Sequence, residues 1–277
     1  MRKFLALAIV GVLTFGVVNL ATAGEETQTE VGKVKPKKLP KKKPKNIKYI
    51  NTIETSNVPG TQSPDKANRT ILDLPKNFKL NNKKFKTCKT DIAGLEGTTT
   101  EAAIKACGKK SVVSDPKGSS AVVTVSDNLD IFVDVTAINE SKNVLILHSK
   151  PIGASDPSFN AFAAQLPPNI LVGKLKKASK VKGRPSGATS TKNHKQALDV
   201  TIPLTDAGGI SFFEVTIPKN NTVKVRSNKK KKGKKKKQKV TYIQAKCKSK
   251  KHVWRATTFF ENSPPTFDDY KQKCKRK

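Results

Sequence analysis

Residues 121–135 read AVVTVSDNLDIFVDV, and this stretch decides the fold class. Every second position is apolar from Ala121 to Val125 and again from Leu129 to Val135, on either side of a turn. Successive side chains on a β-strand point to opposite faces of a sheet. The alternation therefore predicts two strands that each present one apolar face.

Similar patterns recur along the rest of the chain. Residues 198–202 (LDVTI) and 213–217 (FEVTI) alternate in the same way, and each is followed by a proline. About ten strands, separated by turn residues and with almost no helix between them, predict an all-β fold. The architecture would be an antiparallel β-sandwich or a barrel-like closed sheet. The other predicted strands lie near residues 71–74, 78–80, 144–147, 170–172, 223–225, 240–243 and 253–260.

One short helix is predicted between the first two cysteines. Thr98 and Glu101 have the spacing of a capping box, residues 102–106 continue the helix, and Gly108 can end it. A helix of this length, bracketed by a disulfide, is predicted to cover one end of the sheet.

The chain has four cysteines, Cys88, Cys107, Cys247 and Cys274. Three pairings are possible, and Cys88–Cys107 with Cys247–Cys274 is favoured because each bond closes a local loop. An even number of cysteines fits an oxidising compartment. No C-x-x-C spacing and no suitably placed histidine indicates a metal site, so neither a metal nor a cofactor is predicted.

Residues 1–23 have the three-part layout of a secretory signal peptide. Basic residues precede an apolar run over residues 4–18, and small residues end the segment at Ala21 and Ala23. The pattern predicts cleavage between Ala23 and Gly24, and a secreted, extracellular or cell-envelope protein with no transmembrane anchor after cleavage. The alternative is an uncleaved anchor, although the run is short for a membrane span of roughly twenty residues.

Residues 24–68 are polar, rich in lysine and interrupted by prolines. Such a segment buries little apolar surface and its like charges repel each other, so it is predicted to be a disordered basic arm. The β domain is predicted to span residues 69–277. Within it, residues 178–195 are rich in Gly, Ser, Thr and Lys and are predicted to form a long exposed loop.

The chain carries 55 basic and 21 acidic residues, a formal net charge of +34. Two runs, Lys33–Lys48 and Lys229–Lys239, hold nine lysines each and no acidic residue. The second run lies between two predicted strands, so it is predicted to form a lysine-rich hairpin loop over residues 229–239. A charged loop displayed on a β scaffold is a common form of binding element.

Lysine greatly outnumbers arginine in this chain. Lysine is a hydrated point charge on a flexible stem, so the two runs predict diffuse, salt-sensitive association with anionic envelope polymers or an anionic membrane surface. They do not predict sequence-specific reading of nucleic acid, because they hold no aromatic residues for stacking. The alternative is that the lysines only keep an exported protein soluble. The predicted polyanion-binding residues are Lys37, Lys38, Lys41, Lys42, Lys43, Lys229, Lys230, Lys231, Lys232, Lys234, Lys235, Lys236 and Lys237.

The three histidines, His148, His194 and His252, belong to no recognisable catalytic motif. A triad of His194 with Ser186 and Asp199 can be drawn, but no G-x-S-x-G sequence supports it. The chain is therefore predicted to be non-catalytic, and a hydrolase is only a third alternative.

A group of aromatic residues leads to the second functional hypothesis. If the sheet closes, Trp254, Phe259, Phe260, Phe212 and Phe213 would line a cavity, and the protein would be a carrier of an apolar ligand. In a sandwich, the same side chains would fill an ordinary core.

Several segments carry a resemblance to known proteins. They are TCKTDIAGLEGTTTEAAIKACGKK (87–110), ALDVTIP (197–203), ISFFEVTI (210–217), YIQAKCKSKKHVWRATTFF (242–260) and QKCKRK (272–277). In this order they resemble a group of secreted actinobacterial proteins of unassigned function, over roughly residues 70–277. The resemblance implies an exported, β-rich domain with two disulfides, and it implies no activity.

Overall fold

A computed structural model describes residues 26–56, 63–203, 208–231 and 234–276 of the 277-residue chain. The predicted signal peptide, with its cleavage position at Ala23 and Gly24, lies outside the described residues. Within the described ranges, no helix is both long and apolar enough to cross a membrane.

The described residues form eighteen β-strands and two α-helices, numbered here in chain order. The helices are α1 (Thr100–Cys107) and α2 (Asn160–Gln165). The strands are β1 (Thr27–Lys35), β2 (Lys38–Leu39), β3 (Lys45–Asn46), β4 (Lys48–Ser56), β5 (Ala67–Pro75), β6 (Phe78–Leu80), β7 (Ser120–Ser126), β8 (Leu129–Asn139), β9 (Val144–Ala154), β10 (Asn169–Lys177), β11 (His194–Thr201), β12 (Gly209–Ile217), β13 (Thr222–Lys231), β14 (Lys234–Thr241), β15 (Ile243–Ala245), β16 (Lys251–Phe260), β17 (Thr266–Lys273) and β18 (Lys275–Arg276).

Eleven strands form one antiparallel sheet in the order β1-β4-β12-β7-β8-β9-β10-β11-β5-β16-β17. Its two edge strands meet along a line that we call the seam. There the backbone N–H of Glu30 donates to Asp268 Oδ2 at 2.8 Å, and that of Val34 donates to Gln272 Oε1 at 3.0 Å. The sheet is therefore nearly closed, which confirms the predicted all-β antiparallel fold in its barrel-like form.

Three smaller sheets accompany the large one. They are β3-β15-β6, the parallel pair β18-β2 and the hairpin β13-β14. The hairpin prediction is thus confirmed, but the second lysine run lies in the strands rather than in a loop, because Lys230 is opposite Lys235 in the β13–β14 register.

The period-two alternation places the apolar side chains inside the closed sheet. Ile131, Val133 and Val135 are buried on β8, as the pattern in residues 121–135 predicts. They belong to one core cluster that includes residues from both halves of the chain. Removal of apolar surface from water contributes roughly 25 cal/mol per Å², so this shared interior is the main source of stability.

The prediction of a disordered arm over residues 24–68 was wrong for residues 27–56, which form β1 to β4. The lysines hid an alternating pattern. On β1, Lys33 is exposed, whereas its neighbours Gly32 and Val34 are buried. The charged heads stay in water while the other face of the segment packs inside the sheet, so the β domain begins at β1 rather than at the predicted boundary.

The predicted helix is present as α1, with its cap shifted by one residue. The hydroxyl of Thr99, not of Thr98, accepts a hydrogen bond from the backbone N–H of Ala102 at 3.2 Å. Thr98 lies instead beside the ring of His148, with its hydroxyl 3.2 Å from Nε2. Gly108 follows the helix with a φ of 78°, a conformation that favours glycine.

Both predicted disulfides, Cys88–Cys107 and Cys247–Cys274, are present. The first joins the last residue of α1 to the segment after β6, across a separation of 19 residues. The second joins the residues just before β16 and just after β17, across a separation of 27 residues. Each bond closes a local loop, as the spacing predicts.

The predicted loop over residues 178–195 is irregular up to β11, but it is held against the sheet rather than simply exposed. The guanidinium of Arg184 donates to both carboxylate oxygens of Asp73, at 2.5 and 2.7 Å. Arg255 donates to the carbonyl of Ala188 at 2.7 Å. Two of the few arginines therefore fix this loop to β5 and β16.

Candidate functional site

Three segments that are distant in sequence form one surface, which we call the cationic face: residues 37–46, 246–251 and 271–276. They contain six, four and four basic residues, respectively, and no Asp or Glu. The first segment belongs to the run Lys33–Lys48, the second lies between β15 and β16, and the third lies at the end of β17 and in β18.

Strand pairing holds the first segment of the cationic face against the last. β2 and β18 are parallel, with Lys38 opposite Lys275, and the backbone N–H of Lys275 donates to the carbonyl of Lys37 at 3.0 Å. Leu39, between the lysines, is completely buried. This apolar anchor fixes the backbone while the neighbouring side chains remain in water.

Covalent and hydrogen bonds attach the middle segment of the cationic face. The backbone N–H of Cys247 donates to the carbonyl of Pro40 at 3.0 Å, and the disulfide joins Cys247 to Cys274. Arg276 donates to the carbonyl of Lys248 at 2.8 Å. The three segments are thus connected to each other in a fixed arrangement.

The side chains of the cationic face are turned outward. The predicted binding residues Lys37, Lys38, Lys41, Lys42 and Lys43 are all exposed. Within the described residues, none of the basic side chains of this face forms an ion pair with a carboxylate; the described pairs lie elsewhere. Those pairs are Arg69–Asp199, Lys176–Asp199, Arg184–Asp73 and Arg255–Asp269.

The structure does not place every predicted lysine on this face. Lys229 to Lys231 lie at the end of β13 and Lys234 to Lys237 at the start of β14. Lys232 lies outside the described residues. The base of the hairpin adjoins the cationic face, because Asn46 Nδ2 donates to the carbonyl of Lys239 at 3.2 Å and the backbone N–H of Thr241 donates to Asn46 Oδ1 at 3.2 Å.

An apolar cavity lies inside the nearly closed sheet. The volume open to the centre of a water molecule is about 110 Å³, whereas a single buried water needs roughly 10–15 Å³ on this measure. Leucines from neighbouring strands form much of its wall: Leu72, Leu145, Leu147, Leu171 and Leu198.

Two tyrosines bring polar atoms to this apolar wall. Tyr49 and Tyr242 line the cavity and are almost completely buried. Among the described residues, the hydroxyl of Tyr242 has no hydrogen-bond partner, and that of Tyr49 has none other than the indole of Trp254. Burial raises the pKa of each phenol, and for Tyr49 the nearby charge of Glu30 raises the pKa further, so both hydroxyls stay protonated.

A buried carboxyl group lies on the strand beside Tyr49. Glu30 is completely buried, and its Oε1 accepts a hydrogen bond from Asn51 Nδ2 at 2.5 Å. Its other oxygen has no partner among the described residues. Burial raises the pKa of Glu30 well above its usual value; the bond from Asn51 opposes this shift, and the charges of Asp268 and Asp269 add to it.

Gln28 and Glu30 lie on the inner face of β1, next to the cavity. In the β1–β4 register, Gln28 is opposite Thr55 and Glu30 is opposite Ile53, and both of these β4 residues line the cavity. Neither amide atom of Gln28 has a partner among the described residues. We call Gln28, Glu30, Tyr49 and Asn51 the polar strip.

The predicted aromatic lining is mostly replaced by leucines. Phe213 lines the cavity, but the other four predicted aromatics do not. Trp254 is buried behind Tyr49, with the two rings stacked at a centroid distance of 6.3 Å. Phe259 packs instead against the guanidinium of Arg69, 5.0 Å from its ring centre. Neither Phe212 nor Phe260 is part of the cavity wall.

The residues of the drawn triad do not form a hydrogen-bonded chain in the described structure. Asp199 pairs with Arg69 at 2.7 Å, and both ring nitrogens of His194 lack partners. Ser186 begins a short turn in the loop before β11. Burial lowers the pKa of all three histidines, to about 4 for His252. Across the described ranges, no three His, Cys, Asp or Glu side chains are grouped as metal ligands would be.

Comparison of the chain with protein-family models, curated proteins and solved structures finds no match in any of the three. The resemblance to secreted actinobacterial proteins stays a prediction.

Proposed function

We propose that this is an exported, non-catalytic protein that associates electrostatically with anionic polymers of the cell envelope through the cationic face. One observation carries the proposal: three carboxylate-free segments, far apart in sequence, converge on one exposed surface. The two disulfides are compatible with the oxidising conditions outside the cytoplasm.

The physical basis is the concentration of unpaired charge. Like charges held close together repel each other, and here a disulfide and a pair of strands keep them together. A polymer that carries many phosphates or carboxylates relieves this repulsion and releases its own condensed counterions on binding. Lysine ammonium groups need no fixed geometry for this contact, so the ligand is recognised by charge density rather than by sequence.

Inorganic polyphosphate is a suitable probe of the association. Its binding to the purified protein, followed by fluorescence anisotropy, is expected to weaken steeply as the salt concentration rises. The test variant changes Lys37, Lys38, Lys41, Lys42 and Lys43 to Gln. The matched control changes five other exposed lysines to Gln, namely Lys105, Lys109, Lys110, Lys117 and Lys142.

The face variant is expected to lose about tenfold or more in affinity and to show a shallower salt dependence, because fewer counterions are released. The control variant has the same net charge and is expected to lose much less. Equal losses in the two variants would mean that only total charge matters, and binding that ignores salt would overturn the proposal.

The hairpin is tested separately with Lys234, Lys235, Lys236 and Lys237 changed to Gln. If it adds to the same surface, its loss and that of the face variant will combine in the double variant. Vesicles of phosphatidylglycerol, compared with polyphosphate at the same phosphate concentration, distinguish a membrane surface from a soluble polymer as the preferred partner.

A further inference from the structure

We propose that the cavity inside the sheet binds a single-chain amphiphile with an uncharged, hydrogen-bonding head group. The tail would lie among the leucines, and the head group would lie against the polar strip. This site goes beyond the association with anionic polymers and uses none of the residues of the cationic face.

The size and character of the cavity argue for an apolar occupant. Protein interiors are normally packed as densely as organic crystals, and voids larger than a water molecule are few. Here about 110 Å³ is open to the centre of a water molecule, and the wall is mostly leucine, valine and isoleucine. Water in such a space finds few hydrogen-bond partners, whereas an alkyl chain restores the missing contacts.

The shape of the cavity argues for a chain rather than a compact ring. Tyr49, Asn51, Ile53 and Thr55, the alternate residues of β4, all line it. At about 3.3 Å per residue, this row extends about 20 Å along the strand. A single extended tail fits such a row of side chains.

The polar strip argues for a hydrogen-bonding head group. Glu30 and Gln28 each have buried polar atoms without a partner among the described residues. The indole N–H of Trp254 can only donate to the Tyr49 hydroxyl, so the proton of that hydroxyl remains available to a ligand. Buried polar groups are normally paired, and leaving them unpaired is costly, so a group of them beside a cavity indicates a missing partner.

The charges around the polar strip argue against a charged head group. Asp268 accepts a hydrogen bond from the backbone of Glu30, and Asp269 is the next residue. A carboxylate head group would lie near these two acids and be repelled by them. Arg255 would not offset this repulsion, because it is already paired with Asp269 at 2.7 Å. An ammonium head would require Glu30 to ionise in a fully buried position. A hydroxyl or amide head avoids both costs.

Three ligands with one tail and different head groups test the proposal directly: decanol, decanoate and decylamine. Displacement of a fluorescent apolar probe from the purified protein reports binding. We expect decanol to bind with one-to-one stoichiometry and the two charged analogues to bind about tenfold more weakly or not at all, a difference of about 1.4 kcal/mol. No binding by any of the three, or tighter binding by either charged ligand, would overturn the proposal.

A pair of tyrosine variants separates a ligand-binding role from a structural one. Tyr49→Phe removes a buried hydroxyl whose one described partner is the indole of Trp254, so the melting temperature of the ligand-free protein is expected to change little. Its affinity for decanol is expected to fall about fivefold to tenfold, the effect of one hydrogen bond. The control Tyr270→Phe lies outside the cavity wall and is expected to change neither quantity.

A third variant tests the position of the tail. Leu147→Phe adds volume at the wall and is expected to weaken binding of decanol while circular dichroism keeps the spectrum of the parent. Unchanged affinity in both Tyr49→Phe and Leu147→Phe would show that the ligand binds elsewhere. Neither residue belongs to the cationic face, so both variants are expected to bind polyphosphate as the parent does. The two proposals can therefore fail independently of each other.

Discussion

Gly32 on β1 lies against the indole ring of Trp254 on β16, so closely that a β-carbon at position 32 would overlap the ring. Trp254 is completely buried, stacks on Tyr49 and packs edge-on against Phe78 at a centroid distance of 5.7 Å. The missing side chain at position 32 therefore makes room for the only tryptophan of the chain.

Gly32→Ala is expected to lower the free energy of unfolding by roughly 1–3 kcal/mol, because the added methyl group must displace the indole. The control is Gly118→Ala, where the nearest atoms to an added β-carbon belong to Thr216 at 3.5 Å, an ordinary contact. Urea denaturation measures both. Equal stability of the two variants would contradict the close approach of Gly32 and Trp254.

Removal of the guanidinium in Arg184→Met is expected to destabilise the protein by about 3–5 kcal/mol, because it leaves the carboxylate of Asp73 buried and unpaired. Arg69→Met removes a pair of the same type, but Arg69 is 29% exposed and Asp199 keeps Lys176, so a smaller loss is expected. If adding Asp73→Asn to the Arg184→Met variant restores stability, the unpaired carboxylate of Asp73 is the cause of the loss. Thermal denaturation of the three variants makes the comparison.

The two disulfides are expected to have similar effects on stability and different effects on binding. Replacing either pair by serines should cost about 3 kcal/mol by the loop-entropy model, since the separations of 19 and 27 residues are similar. Only loss of Cys247–Cys274 should also weaken polyphosphate binding, because that bond joins two segments of the cationic face. Equal binding by both serine variants would argue that the face does not depend on the bond.

Acid is expected to destabilise the protein through its buried histidines. The pKa of His252 is lowered from 6.5 to about 4 by burial, so between those pH values the unfolded chain binds a proton that the folded chain does not. The free energy of unfolding therefore falls as the pH falls, by up to about 1.4 kcal/mol per pH unit from this one group.

The variant His252→Phe keeps an aromatic ring against Phe78 and removes the titrating group. The slope of stability against pH between 6.5 and about 4 should become shallower, whatever the absolute stability of the variant. Some slope should remain, because burial lowers the pKa of His148 and His194 as well. An unchanged slope would contradict the assignment to His252.

Sequence patterns predicted those parts of the fold whose signal is local. The strands around residues 121–135 and 198–217 follow from period-two alternation, and Cys88–Cys107 follows from the short loop that it closes. The cap of α1 was displaced by one residue because Thr98, Thr99 and Thr100 offer nearly equivalent hydroxyls, and only packing against His148 decides among them.

The strands that the sequence patterns did not predict depend on contacts between distant segments. β1 carries Lys33 and Lys35 on its outer face, and β4 begins at the end of the first lysine run, so the composition of this segment indicates disorder although the inner face of both strands is buried. β17, which was also not predicted, has few apolar residues and is held by β16 and the seam. No local pattern shows that such strands acquire a buried side when the sheet closes.

The candidate sites also combine features that are visible in the local sequence with features that depend on distant contacts. The sequence shows the concentration of charge between Lys37 and Lys43. It does not show that segment 246–251 lies beside it, because that contact is made through Pro40 and the disulfide. Glu30 and Gln28 lie in the segment that was predicted to be a disordered arm. Their role beside the cavity exists only because β1 pairs with β4.

The seam also determines what the large sheet presents to other molecules. An edge strand normally offers a row of unsatisfied N–H and C=O groups on which a second chain can add a strand. Here the edges β1 and β17 face each other, with Glu30 and Val34 donating across the gap. The sheet therefore closes on itself, and among the described strands neither of its two edges is open for a second copy of the chain to add a strand.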